Sequence, residues 1–395
     1  MNSEERILRT IRGEEVDRIP IYVPTITGRV VNTMGIPAVA DQDNYLIRDG
    51  IPVQNDWMKK DLSYLEIIEF AKKACERVWT YEFPEFDRRF LLIPKEFIET
   101  PEFEENIDIL TIKYQVNSPK GELEYIAKKE KNISTVWTEK PLVCNKQDAE
   151  KILSIPYTFQ KPDIDDFFRN KKRIKEKGGF VYIWVSTPLV CVSQLFRFTE
   201  FLTWCITEKK MIAKLIEIAF ERIYQQLEYL LQNGVGPIFR FGGSEQATPP
   251  MMSPKLYDEF VVKYDKQLFD LVHKYGCYVE VHCHGRIKSV LNKMIKMGVD
   301  LTDPVEPPPN GDVEIGEARR MVGNKMTLVG NIEFSDLEYC SPKEIDEKVK
   351  QVIYEGGRKR FILATSAGPI TFVSKRLKEN YIQFIKSGIK YGQFR

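Results

Sequence analysis

Histidine is scarce in this chain of 395 residues: only three occur. Chemistry that runs through imidazole therefore has few places to be. Other shortages narrow the field further. Seven cysteines, at positions 75, 144, 191, 205, 277, 283 and 340, are odd in number, scattered and without a CxxC pair. That argues against a disulfide framework and for a reducing, cytoplasmic setting. Neither sign of charge is in excess, with 58 Lys plus Arg against 57 Asp plus Glu and no long run of either. A polyanion partner would call for a basic stripe, so nucleic acid is not expected. No apolar run approaches the ~20 residues of a membrane span. The opening MNSEERILRTIRGEE is charged throughout and has no apolar signal core. A soluble cytoplasmic protein with no membrane partner is the expectation. There is also no Walker loop, no GxGxxG after a strand and no Gly-x-Ser-x-Gly elbow, which gives little support to nucleotide cofactors or serine hydrolysis.

What is present has a clear rhythm in the second half. Phe180–Val185, Pro237–Phe241, Tyr278–Cys283, Asp300–Asp303, Thr327–Gly330 and Arg360–Thr365 are short apolar strands separated by helical patterns. Strands apolar on both faces and alternating with helices signify a parallel sheet covered on both sides. With Ile19–Val23 near the start, seven strands are counted, and an eighth is not evident from pattern alone. Before that, Ser3–Ile11 reads as a helix capped by Ser3 and ended at Gly13. Residues 44–98 look mostly helical but irregular, and Leu110–Val143 alternates like half-buried strands turning at Ser118–Gly121.

Polar residues choose between an open sheet and a barrel. Arg240, His282, His284, Asp303, Glu306, Asn331, Thr365 and Ser366 fall at or just past the C-terminal ends of successive strands. A barrel gathers such ends around one mouth. An α/β fold of the (β/α)8 TIM type is expected, as one domain over 1–395. Residues 44–145 would be an insertion-like cover, and 180–395 the regular β/α repeats.

In Glu280-Val281-His282-Cys283-His284-Gly285, strand alternation points His282 and His284 to one face and Cys283 to the other, with Glu280 one layer below the histidines. Two imidazoles at a strand end suit zinc, which wants a third protein ligand in a catalytic site. Glu245, in Phe241-Gly242-Gly243-Ser244-Glu245, and Glu306, held in the proline-rich Asp303–Pro309, are both candidates. Glu245 also reads as a helix-capping or solvated loop carboxylate, and Glu306 as part of a plain rigid turn. Without metal, the two histidines would simply hydrogen-bond neighbours or a substrate.

Several segments together resemble the uroporphyrinogen decarboxylase superfamily. Glu4–Leu8 with Arg12–Pro20 is similar to that family's opening "ERvl…lrGe.vDRvP". Ser118-Pro119-Lys120-Gly121-Glu122-Leu123 is similar to its "TPxGxL" turn. Asp303-Pro304-Val305-Glu306 and Gly330-Asn331-Ile332 resemble its late strands. The resemblance implies a distorted TIM barrel with its site in the C-terminal mouth. True porphyrinogen decarboxylases carry an arginine-bearing "MRQAGRY" after the first strand; here Val23–Val30 keeps only Gly28-Arg29. The cobamide-dependent methyltransferase branch holds zinc with a His-x-Cys pair and a later cysteine. His282-Cys283-His284-Gly285 matches that place with His284 for the cysteine, and Ala364–Pro369 lacks the later one.

A nitrogen and oxygen donor set is harder than a thiolate set and suits an oxygen substrate. The resemblance thus implies a corrinoid-dependent methyltransferase, the first component of an O-demethylase. It would take a methyl group from an aryl ether or alcohol to a Co(I) corrinoid on a partner protein. Zinc, held by His282, His284 and Glu245, would be the Lewis acid. Arg29, Arg240, Glu306, Asn331 and Ser366 would contact the small-molecule methyl donor. The alternative is a metal-free lyase of the decarboxylase type, with Arg29 and Arg240 orienting carboxylates and a histidine or Glu306 handling protons. A third reading is a corrinoid- or tetrapyrrole-binding protein without turnover.

Overall fold

The computed structural model describes residues 1–23, 29–33, 36–39, 45–48, 51–54, 62–83, 86, 91–130, 136–368 and 373–394, with backbone alone for those between 29 and 65. Eight parallel strands form the curled central sheet. They are β1 (Ile21–Tyr22), β2 (Val78–Glu82), β3 (Phe180–Val185), β4 (Ile238–Gly242), β5 (Tyr278–His282), β6 (Leu301–Asp303), β7 (Thr327–Ile332) and β8 (Phe361–Thr365). Hydrogen-bonded neighbours run β1-β8-β7-β6-β5-β4-β3-β2. That is the order of a (β/α)8 barrel. The ring is distorted at β1 and β2, which share no ladder among the described residues. One backbone bond, from Glu76 N–H to the Ile21 carbonyl at 2.8 Å, spans the gap. Beyond β2 lie Arg29–Thr33, parallel to it, and Ile36–Val39, antiparallel to Arg29–Thr33.

The strand missing from the sequence reading is β2. Its Val-Trp-Thr-Tyr-Glu is only five residues long and follows the helix Leu62–Ala74. Residues 44–98, expected to be mostly helical, also hold the hairpin Tyr45–Arg48 with Ile51–Gln54. The β-branched and aromatic residues in these short runs pair into sheet despite the surrounding helical pattern. The expected turn at Ser118–Gly121 does join two strands, Ile109–Ser118 and Gly121–Glu130. These are the centre of a four-stranded antiparallel sheet.

Period-2 alternation sorts the strand residues cleanly. Tyr22, Val78, Phe180, Tyr182, Ile238, Leu301, Val329, Ile362 and Ala364 meet inside the barrel, with Ile7 and Ile11 of the first helix closing the base. Their neighbours in sequence, such as Phe239, Phe241, Val279, Val281 and Leu363, join the larger cluster under the outer helices. Residues two further along each inner row (Trp184, Arg240, Glu280, His282, Asp303 and Asn331) therefore face the same interior, nearer the mouth.

The N-terminal signature explains itself at the base. The first helix, Ser3–Arg12, is capped by Asn2 rather than Ser3, and ends at Gly13, whose φ is 74°. Arg6 grips Asp17 with two bonds of 2.6 and 2.7 Å and reaches buried Glu76 at 2.8 Å. Arg18 contacts the other Glu76 oxygen at 2.7 Å. The arginines and acids of the "ERIL…DRIP" pattern thus hold the first helix and β1 against β2, where the ladder is broken. No described helix is long and apolar enough to cross a membrane.

Candidate metal centre at the barrel mouth

Strand β5 ends at His282, and the chain leaves through Cys283, His284 and Gly285. Gly285 has a φ of 83°, a left-handed conformation that glycine adopts without a Cβ penalty. Cys283 is fully buried behind the strand, where burial pushes its thiol far up the pH scale. The two histidines remain only half-buried on the mouth side, with rings 4.8 Å apart and nearly perpendicular.

Each histidine is held from behind by a carboxylate. His282 Nδ1 lies 3.0 Å from Asp303 Oδ2, and His284 Nδ1 lies 2.9 Å from Glu306 Oε1. With Nδ1–H donating to the carboxylate, each imidazole would keep the lone pair of Nε2 free for a metal. This is the arrangement that orients metal-binding imidazoles. Glu306 also accepts from the Gly285 N–H at 2.6 Å, which fixes its own carboxylate.

Glu245 arrives from the turn after β4. Gly243 makes the approach possible. Its N–H donates to the His282 carbonyl at 2.6 Å, and a Cβ there would fall 2.2 Å from that oxygen. The short turn Glu245–Ala247 then brings Glu245 Oε1 within 3.4 Å of the His284 N–H. One donor atom each from Glu245, His282 and His284 lie within 4.8 Å of one another. Two imidazole nitrogens and a carboxylate oxygen form a donor set that fits a catalytic zinc ion with a coordination position open to substrate.

Beneath the histidines sits a buried charge network. Arg240 donates to Glu280 Oε1 at 2.7 Å and to Asp303 Oδ2, and its second nitrogen lies 2.7 Å from His282 Nδ1. With Nδ1 carrying a proton, both Arg240 and His282 donate to Asp303. Burial and the Arg240 charge lower the pKa of His282, which stays neutral and ready to ligate. Burial opposes charge on His284 as well, but the Glu306 hydrogen bond and the surrounding carboxylates outweigh it and raise its pKa. One guanidinium serves two acids unequally. Asp303 receives both donors and is held below the usual carboxylate range despite burial. Glu280 lies deeper, its Oε2 has no hydrogen-bond partner among the described residues, and burial pushes its pKa up.

The remaining expected site residues fall in different places. Arg240, expected to contact substrate, is buried and pairs with Glu280 and Asp303. Glu306, expected to touch substrate, is engaged with His284 and Gly285. Asn331 is buried on the inner face of β7, and its Oδ1 has no partner among the described residues. Ser366 is buried past β8, where its hydroxyl accepts from the Phe334 N–H at 3.2 Å and lies 3.3 Å from Glu333. The Arg29 side chain, and Pro24–Gly28 before it, lie outside the described residues. In the sequence Asp303 stands out only as a polar residue at a strand end, without its role behind His282. The signal for Asp303 was its register: it pairs directly opposite His282 across β5 and β6.

Comparison with known proteins agrees with this architecture. A methyltransferase from Methanosarcina mazei has the same fold, with a TM-score of 0.58 over 99% of both chains at 14% identity. A protein from Shewanella piezotolerans described as uroporphyrinogen decarboxylase is 33% identical over 109 residues, 27% of this chain and 29% of that relative. The match thus spans under a third of the relative's length. The family model for uroporphyrinogen decarboxylase (URO-D) covers residues 138–384, from the last strand of the antiparallel sheet through every barrel strand from β3 to β8. This chain belongs to the uroporphyrinogen decarboxylase (URO-D) family.

Proposed function

We propose that this protein is a methyltransferase that moves a methyl group from a methoxylated substrate, an aryl ether or alcohol, to a Co(I) corrinoid carried by a partner protein. The observation that carries the reading is the convergence of Glu245, His282 and His284, with both imidazoles backed by buried carboxylates. These three residues would hold zinc. When bound, the metal would supply Lewis acidity at the substrate oxygen and make phenolate or alkoxide a better leaving group. Having nitrogen and oxygen donors rather than thiolates favours an oxygen substrate.

The chain's own contributions follow from the geometry. Asp303 and Glu306, by holding the two Nδ1 atoms, would leave the Nε2 atoms to serve as ligands. Arg240 keeps Asp303 ionised, so that the carboxylate continues to accept the His282 proton. Gly243 lets the Glu245 turn lie directly against β5. A carboxylate-gripping lyase finds less support, because Arg240 is already committed to two internal acids.

The test is methyl transfer to added Co(I) cobalamin from a panel of methoxylated compounds, using protein purified without chelators. Transfer that disappears on metal removal and in His282→Ala supports the reading. Transfer that persists without any metal sinks the zinc role. Release of CO2 from a carboxylated substrate by metal-free protein would favour the lyase.

A further inference from the structure

Along the inner wall the side chains near the mouth are mostly sealed: Tyr182, Arg240, Glu280, Asp303 and Asn331 are all buried. Trp184, at the inward-facing end of β3, is one that remains partly exposed, as do Glu245, His282 and His284. The indole is therefore part of the same accessible patch as the three candidate ligands. Its ring centroid lies 6.0 Å from that of His282, with the planes inclined at 61°.

The position of the indole is built rather than incidental. Across the sheet Gly242 presents no side chain, and a Cβ there would stand 3.1 Å from the Trp184 ring. The Arg240 guanidinium lies 5.9 Å from the ring centroid and is itself pinned by Glu280 and Asp303. A rigid ring, packed on one side and partly open on the other, costs little conformational entropy when a ligand settles against it.

We infer that Trp184 is the specificity-determining platform for an aromatic substrate, stacking a planar ring whose oxygen substituent points at Glu245, His282 and His284. The inference deepens the methyl-transfer reading by choosing aryl over aliphatic ethers. It rests on that reading only for what happens at the oxygen. A saturated ring of the same outline has no π face for the indole and is too thick to lie flat against it, so discrimination falls on shape and stacking together.

The experiment compares 4-methoxybenzyl alcohol with its saturated counterpart, (4-methoxycyclohexyl)methanol, by calorimetric binding to the full chain. Zinc-treated and metal-free protein are both used, and no corrinoid is present. The wild type is expected to favour the aromatic compound by roughly fivefold, equivalent to ~1 kcal/mol of aromatic pairing. Trp184→Leu should abolish the preference, with the aromatic compound losing more affinity than the saturated one, and Trp184→Phe should keep most of it. A thermal melt confirms that each variant is folded; if Trp184→Leu does not fold, the wild-type ratio and Trp184→Phe decide. Equal affinities in the wild type, a ratio unchanged in Trp184→Leu, or no measurable binding of the aromatic compound would overturn the inference. Because binding is read without turnover, the two readings fail separately. Failed methyl transfer with the preference intact removes only the reaction, and a lost preference with transfer intact removes only the platform.

Discussion

The two ends of the barrel hold charge in opposite ways. At the base, Arg6 and Arg18 meet Asp17 and Glu76 so that each acid there is paired with a cation. At the mouth, Glu245, Glu280, Asp303, Glu306 and Glu333 gather where Arg240 is the one described cation on the strands' inner faces. Glu280 Oε2, Asn331 Oδ1, Glu333 Oε1 and Ser244 Oγ there have no hydrogen-bond partner among the described residues. A balanced cluster stabilises by itself. An acceptor-rich one is suited to a cation, and a divalent metal at the two histidines would supply that charge.

The comparison breaks most visibly by removing a ligand. His282→Ala and His284→Ala should each abolish stoichiometric metal and lower methyl transfer by at least ~100-fold, while the melting temperature of the metal-free protein changes little. Elemental analysis and calorimetry check both halves. Removing a cation from the base should do the reverse. Arg6→Ala leaves Glu76 buried beside Arg18 alone and should cost about 3–5 kcal/mol in denaturant unfolding, with metal content intact in the folded fraction. A base mutation that emptied the metal site without destabilising the fold would erase the distinction between the two ends.

A smaller effect is expected one shell back. Glu306→Gln and Asp303→Asn keep shape but weaken the acceptors behind the histidines, and metal affinity should fall about 10–100-fold without loss of the donors themselves. Competition with a chromogenic chelator measures it.

The pH dependence sharpens the contrast between the two histidines. His284 has a raised pKa, so metal must displace a proton from it over a range reaching above the ordinary imidazole value, and affinity should fall as pH drops through that range. Glu306→Gln replaces the charged acceptor that raises this pKa with a neutral one, and the acid-side midpoint should move to lower pH. In metal-free protein the sign reverses. A raised folded pKa contributes stability that is complete below the unfolded value of about 6.5 and fades as pH rises through the folded value. His284→Gln should lose that slope, which pH-dependent unfolding would reveal. The lowered pKa of His282 acts oppositely, costing stability as pH falls below the unfolded value.

How far the sequence could be read depended on which physics each residue expressed. Alternation with period two was enough to turn His282 and His284 inward, bury Cys283 behind the strand and set Glu280 one layer below. The repeating apolar strands gave the barrel from β3 onward. Strand β2 was hidden because five residues carry too short a period beside a helix. Arg240 reads as a substrate grip in the sequence, which does not show that Glu280 stands beside it on the next strand and that Asp303 reaches it from one strand further on. Glu306 was legible as a carboxylate held at the site, but its partner, His284, depended on the register between β5 and β6. Trp184 was masked by the continuous apolar run Phe180–Val185, in which both faces look alike.

The central claim is that Glu245, His282 and His284 form one metal site. Zinc per chain, measured by elemental analysis on protein purified without chelators, tests it directly in the wild type, Glu245→Gln, His282→Ala and His284→Ala. The account predicts about one zinc per wild-type chain, a sharp loss in both histidine variants and weakened retention in Glu245→Gln. Wild-type protein without stoichiometric metal after zinc supplementation, or histidine variants that retain it fully, would contradict the account.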